Sequence, residues 1–198
     1  MNRRTLVVTL IVAAVLIAGF SYLRSLAWRT FHEIQGTEEA VHTRLNQEAL
    51  QSPTGAKQVV TLYFPADDES GLVSETREMS WAVTDPDRIR QILLALVEGP
   101  ARTHNRPLPP STDIRAVFLA PDGTAYLDFS NEILKGFAPG IQSETLAVYS
   151  IVNSVAANIP AVKKVKILLQ GQEVETLDGH IDLTRLFVPD TSLGGTSN

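Results

Sequence analysis

A run of nineteen uncharged residues near the N-terminus constrains this chain more than any other feature. From Thr5 to Leu23 it reads TLVVTLIVAAVLIAGFSYL, and arginines flank it on both sides. A helix of this length reaches about 28 Å, close to the hydrocarbon thickness of a bilayer. The run therefore predicts a transmembrane helix over 5–23, after a short cytoplasmic N-terminus over 1–4.

A cleaved signal peptide is the alternative interpretation of this run. The apolar region of a signal is usually about 7–15 residues long and ends at a small-x-small site. Here the run is longer and ends in Phe20, Tyr22 and Leu23, which favours a permanent single-pass anchor. Arg3 and Arg4 favour an N-terminus in the cytoplasm. We therefore expect the rest of the chain to be extracytoplasmic, in the periplasm or on the outer face of the cell membrane.

The next segment, 24–57, is polar and ends in Ser52, Pro53 and Gly55. Its apolar residues have a loosely helical spacing, which predicts a helical stalk followed by a linker. They do not sustain three heptads, so a coiled-coil dimer is the less favoured alternative. A folded domain is predicted over 58–188 and a disordered tail over 189–198.

Two helices stand out within the predicted domain. In TDPDRIRQILLALVEGP, Asp85 is placed to cap the helix, Pro86 occupies its first position and Gly99 ends it. The second helix, IQSETLAVYSIVNSVAANIP, ends at Pro160. Strand patterns surround both helices in the order ββαββαβ. This order predicts an α+β two-layer sandwich, a mixed or antiparallel sheet of four to five strands with two helices on one face.

Four ordered segments resemble the GerMN domain, a sporulation and spore-germination family. They are VTLYFPADDESGLVSETREM, ILLALVEGP, AYLDFSNE and ETLAVYSIVNSVAANIPAVKKVKILLQGQEVETLDGHIDL. The resemblance covers about 58–188 and implies an extracytoplasmic, membrane-attached scaffolding or assembly module without enzymatic activity. Its implied partners are envelope proteins or further copies of the chain, in a ring or other oligomer. The chain carries one copy of the domain and no cysteine for a lipid.

Charge narrows the range of partners. Residues 58–198 contain 11 Lys and Arg against 18 Asp and Glu, a net charge of −7. An acidic domain gains nothing from the release of phosphate counterions, which argues against nucleic acid as a partner. Membrane contact is assigned to the N-terminal helix alone.

The segment QGQEVETLDGHIDLTRLF raises the question of a metal or catalytic site. His180 and Asp182 would share one face of a strand, and Asp178 could join them. However, a closed zinc site needs four ligands, usually Cys and His, and the chain has no cysteine. No nucleophile elbow or phosphate-binding loop occurs either. We predict a polar hairpin, with no catalytic residue, metal or cofactor.

Two basic groups are candidates for an interaction surface. Arg102, His104 and Arg106 lie in a proline-rich loop, and Lys163 and Lys164 begin a strand. The simpler interpretation is that they are solvated charges, together with the neighbouring Lys166, or that the lysines protect a strand edge.

A cell-wall glycan or small-ligand site is the alternative function. Its predicted contact surface combines the proline-rich loop with Trp81 and Tyr126, two aromatic residues that are also candidates for partial burial in the core.

Overall fold

The computed structural model describes residues 57–135 and 140–194, which contain five strands and two α-helices. In chain order these are β1 (Lys57–Pro65), β2 (Leu72–Ser80), α1 (Asp85–Glu98), β3 (Ile114–Leu119), β4 (Thr124–Phe129), α2 (Ile141–Asn158) and β5 (Lys164–Leu169). Short 3₁₀ turns cover Asn131–Leu134 and Thr191–Leu193. The predicted element order and the α+β class are confirmed.

The strands form two sheets and not one. β1 pairs with β2 in an antiparallel hairpin, while β3, β4 and β5 form a second sheet in that order. In the second sheet β3 is antiparallel to β4, and β5 is parallel to it. α1 packs mainly against β3 and α2 mainly against β1. The prediction of one four- to five-stranded sheet with both helices on one face is therefore wrong.

The reason lies at the outer edge of β1, where side chains of α2 take the place of a neighbouring strand. The Asn158 amide accepts from the Thr61 N–H at 2.9 Å and donates to the Thr61 carbonyl at 2.6 Å. Ser154 Oγ accepts from the Tyr63 N–H at 2.8 Å, and the Ser150 hydroxyl donates to the Tyr63 carbonyl. Because these backbone groups are already satisfied, β1 does not pair with another strand.

The cap of α1 differs from the prediction by one residue. Thr84 is the N-cap, and its Oγ1 accepts from the Asp87 N–H at 3.4 Å. Asp85 is the first helical residue rather than the cap. Threonine and aspartate are both favoured N-cap residues. The sequence therefore does not distinguish Thr84 from the adjacent Asp85 as the cap. Gly99 ends the helix at φ 93°, as predicted.

The core lies between the helices and the two sheets. Its largest fully buried side chains include Phe64 from β1, Phe129 from β4 and Phe187, which follows the last strand. α1 contributes Ile89, Ile92, Leu93 and Leu96, and α2 contributes Leu146, Val152 and Val155.

The C-terminal segment is more ordered than the sequence predicted. Asn153 on α2 exchanges two hydrogen bonds with the backbone of Asp190, at 2.8 and 2.9 Å. A 3₁₀ turn follows over Thr191–Leu193, and Gly194 forms a parallel bridge with Leu72. The predicted disordered tail is therefore wrong for residues 189–194, because a buried amide of α2 anchors them.

The predicted N-terminus over 1–4 and transmembrane helix over 5–23 lie outside the described residues. So does the predicted stalk and linker over 24–57, apart from Lys57, which begins β1. Within the part of the chain that the structure describes, no helix is both long and apolar enough to cross a bilayer.

Candidate functional site

The acidic segment near the C-terminus folds around a buried carboxylate from another element. Glu144, in the first turn of α2, is fully buried. Its Oε1 accepts from the backbone N–H groups of Leu177 and Asp178 at 2.8 and 3.2 Å. Its Oε2 accepts from those of His180 and Ile181 at 2.8 and 3.2 Å. We call residues 177–181 the clamp loop, because Glu144 fixes its shape.

His180 belongs to this structural arrangement. Its Nδ1 lies 3.3 Å from Glu144 Oε2 and 3.7 Å from Asp178 Oδ2. Of the polar hairpin predicted for this segment, the structure shows the tight turn at Gln170 and Gly171. Their positive φ angles of 54° and 74° suit a type I′ turn. Among residues 57–135 and 140–194, no group of three or more His, Asp or Glu side chains is placed to hold a metal ion.

Asp128 on β4 is also used within the fold. Its Oδ1 accepts from the Gly171 N–H at 2.7 Å, and its Oδ2 lies 3.3 Å from Arg115 Nε. The aspartate of the AYLDFS motif thus joins the end of the second sheet to the turn after β5.

A third buried carboxylate, that of Glu75, connects the β1–β2 hairpin to the end of α1. Glu75 on β2 accepts from Arg77 Nη2 at 2.9 Å and from the Ala101 N–H at 3.0 Å. Arg77 also donates to the carbonyl of Gly99 at 2.9 Å. Burial raises the pKa of Glu75, but the hydrogen bonds from Arg77 and Ala101 outweigh it and hold the pKa below its usual value.

Stability is expected to fall in acid partly through Glu75. Because its folded pKa is lowered, the unfolded chain binds the proton more readily. The contribution of Glu75 is complete above the ordinary glutamate pKa of 4.5 and is lost as the pH falls through the lower folded value. Urea unfolding between pH 7 and pH 3 measures this loss. A Glu75→Gln variant should have a shallower pH dependence, and identical slopes would contradict the assignment.

The lysines at the start of β5 divide into two kinds. Lys163 and Lys164 are exposed. Lys166 is buried, with only 4% of its side chain exposed. Its Nζ donates to the carbonyls of Leu183 and Thr184 at 3.2 and 2.5 Å and lies 3.2 Å from Glu173 Oε2. The interpretation of Lys166 as a solvated charge is therefore wrong, because carbonyls that are distant in sequence surround its ammonium group.

The proline-rich loop places its basic residues differently. Arg102 is exposed, His104 is half-buried, and Arg106 donates from Nη1 to the Val97 carbonyl at 3.1 Å near the end of α1. The loop forms one wall of a cleft of about 270 Å³. The cleft is lined by Pro65, Glu69, Asn105, Arg106, Pro107, Leu108, Pro109, Pro110, Ser143 and Leu146.

The two predicted basic groups do not share one surface. The cleft beside Arg106 includes Ser143, in the first turn of α2. Lys163 lies beyond the last turn of the same helix and donates its backbone N–H to Gly123. Eighteen helical residues separate these ends by about 27 Å.

An exposed apolar surface lies on the face of the second sheet that points away from the core. Phe118 and Tyr126 are cross-strand partners, 59% and 37% exposed, and their ring centroids are 6.2 Å apart. Lys164 lies on the same face, because its partner Thr124 is two residues before Tyr126.

The C-terminal segment extends this surface. Phe187 pairs with Val165 along the outer edge of β5, and both side chains are buried in the core. Leu186 and Val188 flank Phe187 and are 44% and 56% exposed. In extended chain, neighbours of an inward-pointing residue point outward. We call Phe118, Tyr126, Lys164, Leu186 and Val188 the outer-face patch.

Trp81 does not belong to the outer-face patch. It packs against the core, and the Arg88 guanidinium lies 5.7 Å from the centre of its ring. No residue of β4 lines the cleft, and neither does Trp81. Of the surface predicted for a glycan, only Tyr126 is part of an exposed aromatic pair.

The sequence alone did not reveal Phe118 as the partner of Tyr126. It also did not reveal the roles of Glu144, Glu75 and Asp128. Alternating polarity in β4, TAYLDF, was the available signal for the pair. The single charged residue of α2, Glu144, was the signal for the clamp loop.

Comparison with known proteins fits this fold. The family model Germane, described as sporulation and spore germination, matches residues 61–175, more than half of the chain. The chain belongs to the Germane family. The resemblance seen in the sequence is thereby confirmed. The match ends just before the clamp loop, so the Germane domain of this chain uses residues beyond 175 to complete its core.

Two solved structures share the fold. The first GerMN domain of the sporulation protein GerM from Bacillus subtilis is 22% identical, with a TM-score of 0.52 over 64% of this chain and 92% of that one. The tandem GerMN domains of the same protein are 22% identical, with a TM-score of 0.53 over 65% of this chain and 44% of that one. This chain thus spans less than half of the tandem pair. No curated protein sequence matches it at a significant level.

Proposed function

We propose that this Germane-family chain is a membrane-anchored, non-enzymatic interaction module of the cell envelope, with its domain outside the cytoplasm and a role related to sporulation or germination. The outer-face patch is the observation that carries the proposal. Exposed apolar patches rimmed by polar residues mark interaction sites in soluble domains. Phe118 and Tyr126 supply large, rigid contact area of the kind that dominates protein interfaces.

The use of the buried charged groups supports a binding role over catalysis. Glu144, Glu75 and Asp128 each accept hydrogen bonds that hold a loop or turn in place. Lys166 donates to two carbonyls of the segment that leads to Phe187. These groups stabilise the fold, and they do not converge on one pocket.

The partner favoured by this surface is an envelope protein or a second copy of the chain. Lys164 adds a positive charge beside the aromatic pair, so an apolar partner surface with a carboxylate at its rim would be complementary. The acidic balance of residues 58–198 argues against nucleic acid.

A photocrosslinking amino acid at position 118 tests the proposal in cells of the source organism. We expect it to capture a discrete envelope protein or a dimer of the chain, because Phe118 is the most exposed ring of the outer-face patch. The same amino acid at Val83, which is 72% exposed after the end of β2, is the control. Equal capture at both positions would contradict the proposal.

Cell-wall glycan is the second candidate partner, because the exposed rings of Phe118 and Tyr126 could stack on sugars. Retention on insoluble cell wall, compared between the parent and Tyr126→Ala, separates the two candidates. The cleft beside Arg106 is below the usual range of about 300–1,000 Å³ for small-molecule pockets, so a drug-sized ligand there is disfavoured.

A further inference from the structure

Within the residues that the structure describes, the outer edge of β2 has no neighbouring strand. In an antiparallel pair, opposite residues alternate between those that bond each other and those whose backbone groups point away. The backbone groups of Thr61 and Tyr63 point away from β2, because side chains of α2 hydrogen-bond them. Their partners Thr76 and Ser74 must therefore point their backbone groups to the opposite edge, and so must Glu78.

These groups have no partner in residues 57–135 and 140–194. No described residue hydrogen-bonds the backbone of Ser74, Thr76 or Glu78 across that edge. Among the described residues, the first position alone is taken, where Leu72 forms its parallel bridge with Gly194. The edge thus accepts a backbone segment at its start and has no further strand partner within that part of the chain.

The strand carries few of the features that usually protect an edge. Proteins shorten such strands, place Lys or Pro in them, bulge them, or point charges inward. β2 has nine residues, LVSETREMS, with neither Lys nor Pro, and its register with β1 is continuous. The inward charges of Glu75 and Arg77 are already paired with each other and with the loop after α1. Both would therefore keep their partners if a strand were added at this edge.

We propose that the edge of β2 from Ser74 to Ser80 binds an extended, basic segment of a partner protein as an added strand. Backbone pairing supplies the affinity in this mode of recognition. The basic character follows from the net charge of −7 over residues 58–198. The exposed carboxylate of Glu78 adds to it, since its ion pair with Lys57 at 3.3 Å is itself exposed to solvent and therefore weak. The inference rests on the proposed interaction role but uses a surface other than the outer-face patch.

A capped peptide of alternating lysine and valine, labelled with a fluorophore, is the probe. Binding to the full chain in mild detergent is measured by anisotropy, and hydrogen exchange reports on the amides of β2. The comparison peptide has the same side chains but carries N-methyl groups on alternate residues, which removes its backbone donors. We expect the N-methylated peptide to bind at least about tenfold more weakly and only the parent peptide to slow exchange in β2.

Thr76→Pro tests the edge from the side of the protein, with Thr76→Val as the matched control. Proline is tolerated where an edge N–H faces solvent, since no ladder hydrogen bond is lost. We expect at least about tenfold weaker binding for Thr76→Pro and unchanged binding for Thr76→Val. The two peptides still decide the question on the parent chain if the proline variant does not fold.

Three results would overturn the inference. The N-methylated peptide could bind as tightly as its parent, or a glutamate-for-lysine peptide could bind equally well. Binding could also appear only after residues 195–198 are deleted, which would make the C-terminus of the chain itself the occupant. None of these results bears on crosslinking at Phe118, so failure of this inference is distinguishable from failure of the proposed function.

Discussion

Replacing Glu144 with alanine is expected to lower the free energy of unfolding by about 3–5 kcal/mol, as removal of a buried charged partner does. The carboxylate is fully buried and accepts from four backbone N–H groups of the clamp loop. Its loss would leave those donors without an acceptor. Urea denaturation of the parent and the variant at pH 7 measures the difference.

Two further variants locate the origin of that effect. Glu144→Gln keeps one acceptor oxygen but turns an NH₂ group towards backbone donors, so an intermediate loss is expected. His180→Ala removes an imidazole that is 37% exposed, while its backbone N–H still reaches Glu144, so its loss should be the smallest. A Glu144→Ala loss below about 1 kcal/mol would contradict the clamp, because a typical single hydrogen bond contributes that much.

Phe187→Ala is expected to cost about 3–5 kcal/mol, the usual range for a buried phenylalanine. The ring is 1% exposed and meets Tyr149 of α2 edge to face, with centroids 6.0 Å apart. Its backbone pairs with Val165 in both directions at 2.8 Å. The segment after the clamp loop is thus part of the core. Thermal and urea unfolding both measure the loss.

Val188→Ala is the matched control for Phe187→Ala. Val188 is the adjacent residue and is 56% exposed, so its truncation should change stability by no more than about 0.5 kcal/mol. Equal losses for the two variants would mean that Phe187 does not anchor the segment.

Local pattern was sufficient to predict the helices and strands. In α1 the spacing of Ile89, Ile92, Leu93 and Leu96 matches one helical face, and the structure buries all four. Pro86 and Gly99 mark the two ends of that helix through restrictions on their own backbones. Such signals act within a few residues, so the sequence carries them directly.

Pairings between distant residues could not be predicted in this way. Asn158 bonds Thr61 across 97 positions, and Glu144 reaches the clamp loop across at least 33. Ser150, Ser154 and Asn158 do recur at four-residue intervals along α2. Their spacing indicates a polar stripe, but nothing local shows that a strand edge lies opposite it.

The candidate site was predictable in part. The sequence offered Tyr126 both as a contact residue and as part of the core, whereas its partner Phe118 depends on the register of β3 with β4. Arg106 was a candidate interaction residue, and its exposed guanidinium bonds a carbonyl near the end of α1. Whether Arg102, His104, Arg106, Lys163 and Lys164 contact a partner stays a prediction, and the structure adds only that the loop and the lysines lie at opposite ends of α2.

The polar positions of α2 have a consequence for how this chain can change in evolution. Glu144 holds the clamp loop, Ser150, Ser154 and Asn158 satisfy β1, and Asn153 anchors the C-terminal segment. These five residues serve three different neighbours, so these polar positions of the helix are not free to vary. Drift in sequence among relatives should therefore concentrate on the exposed side of α1 and in the loops, while α2 retains its polar residues as closely as its apolar ones.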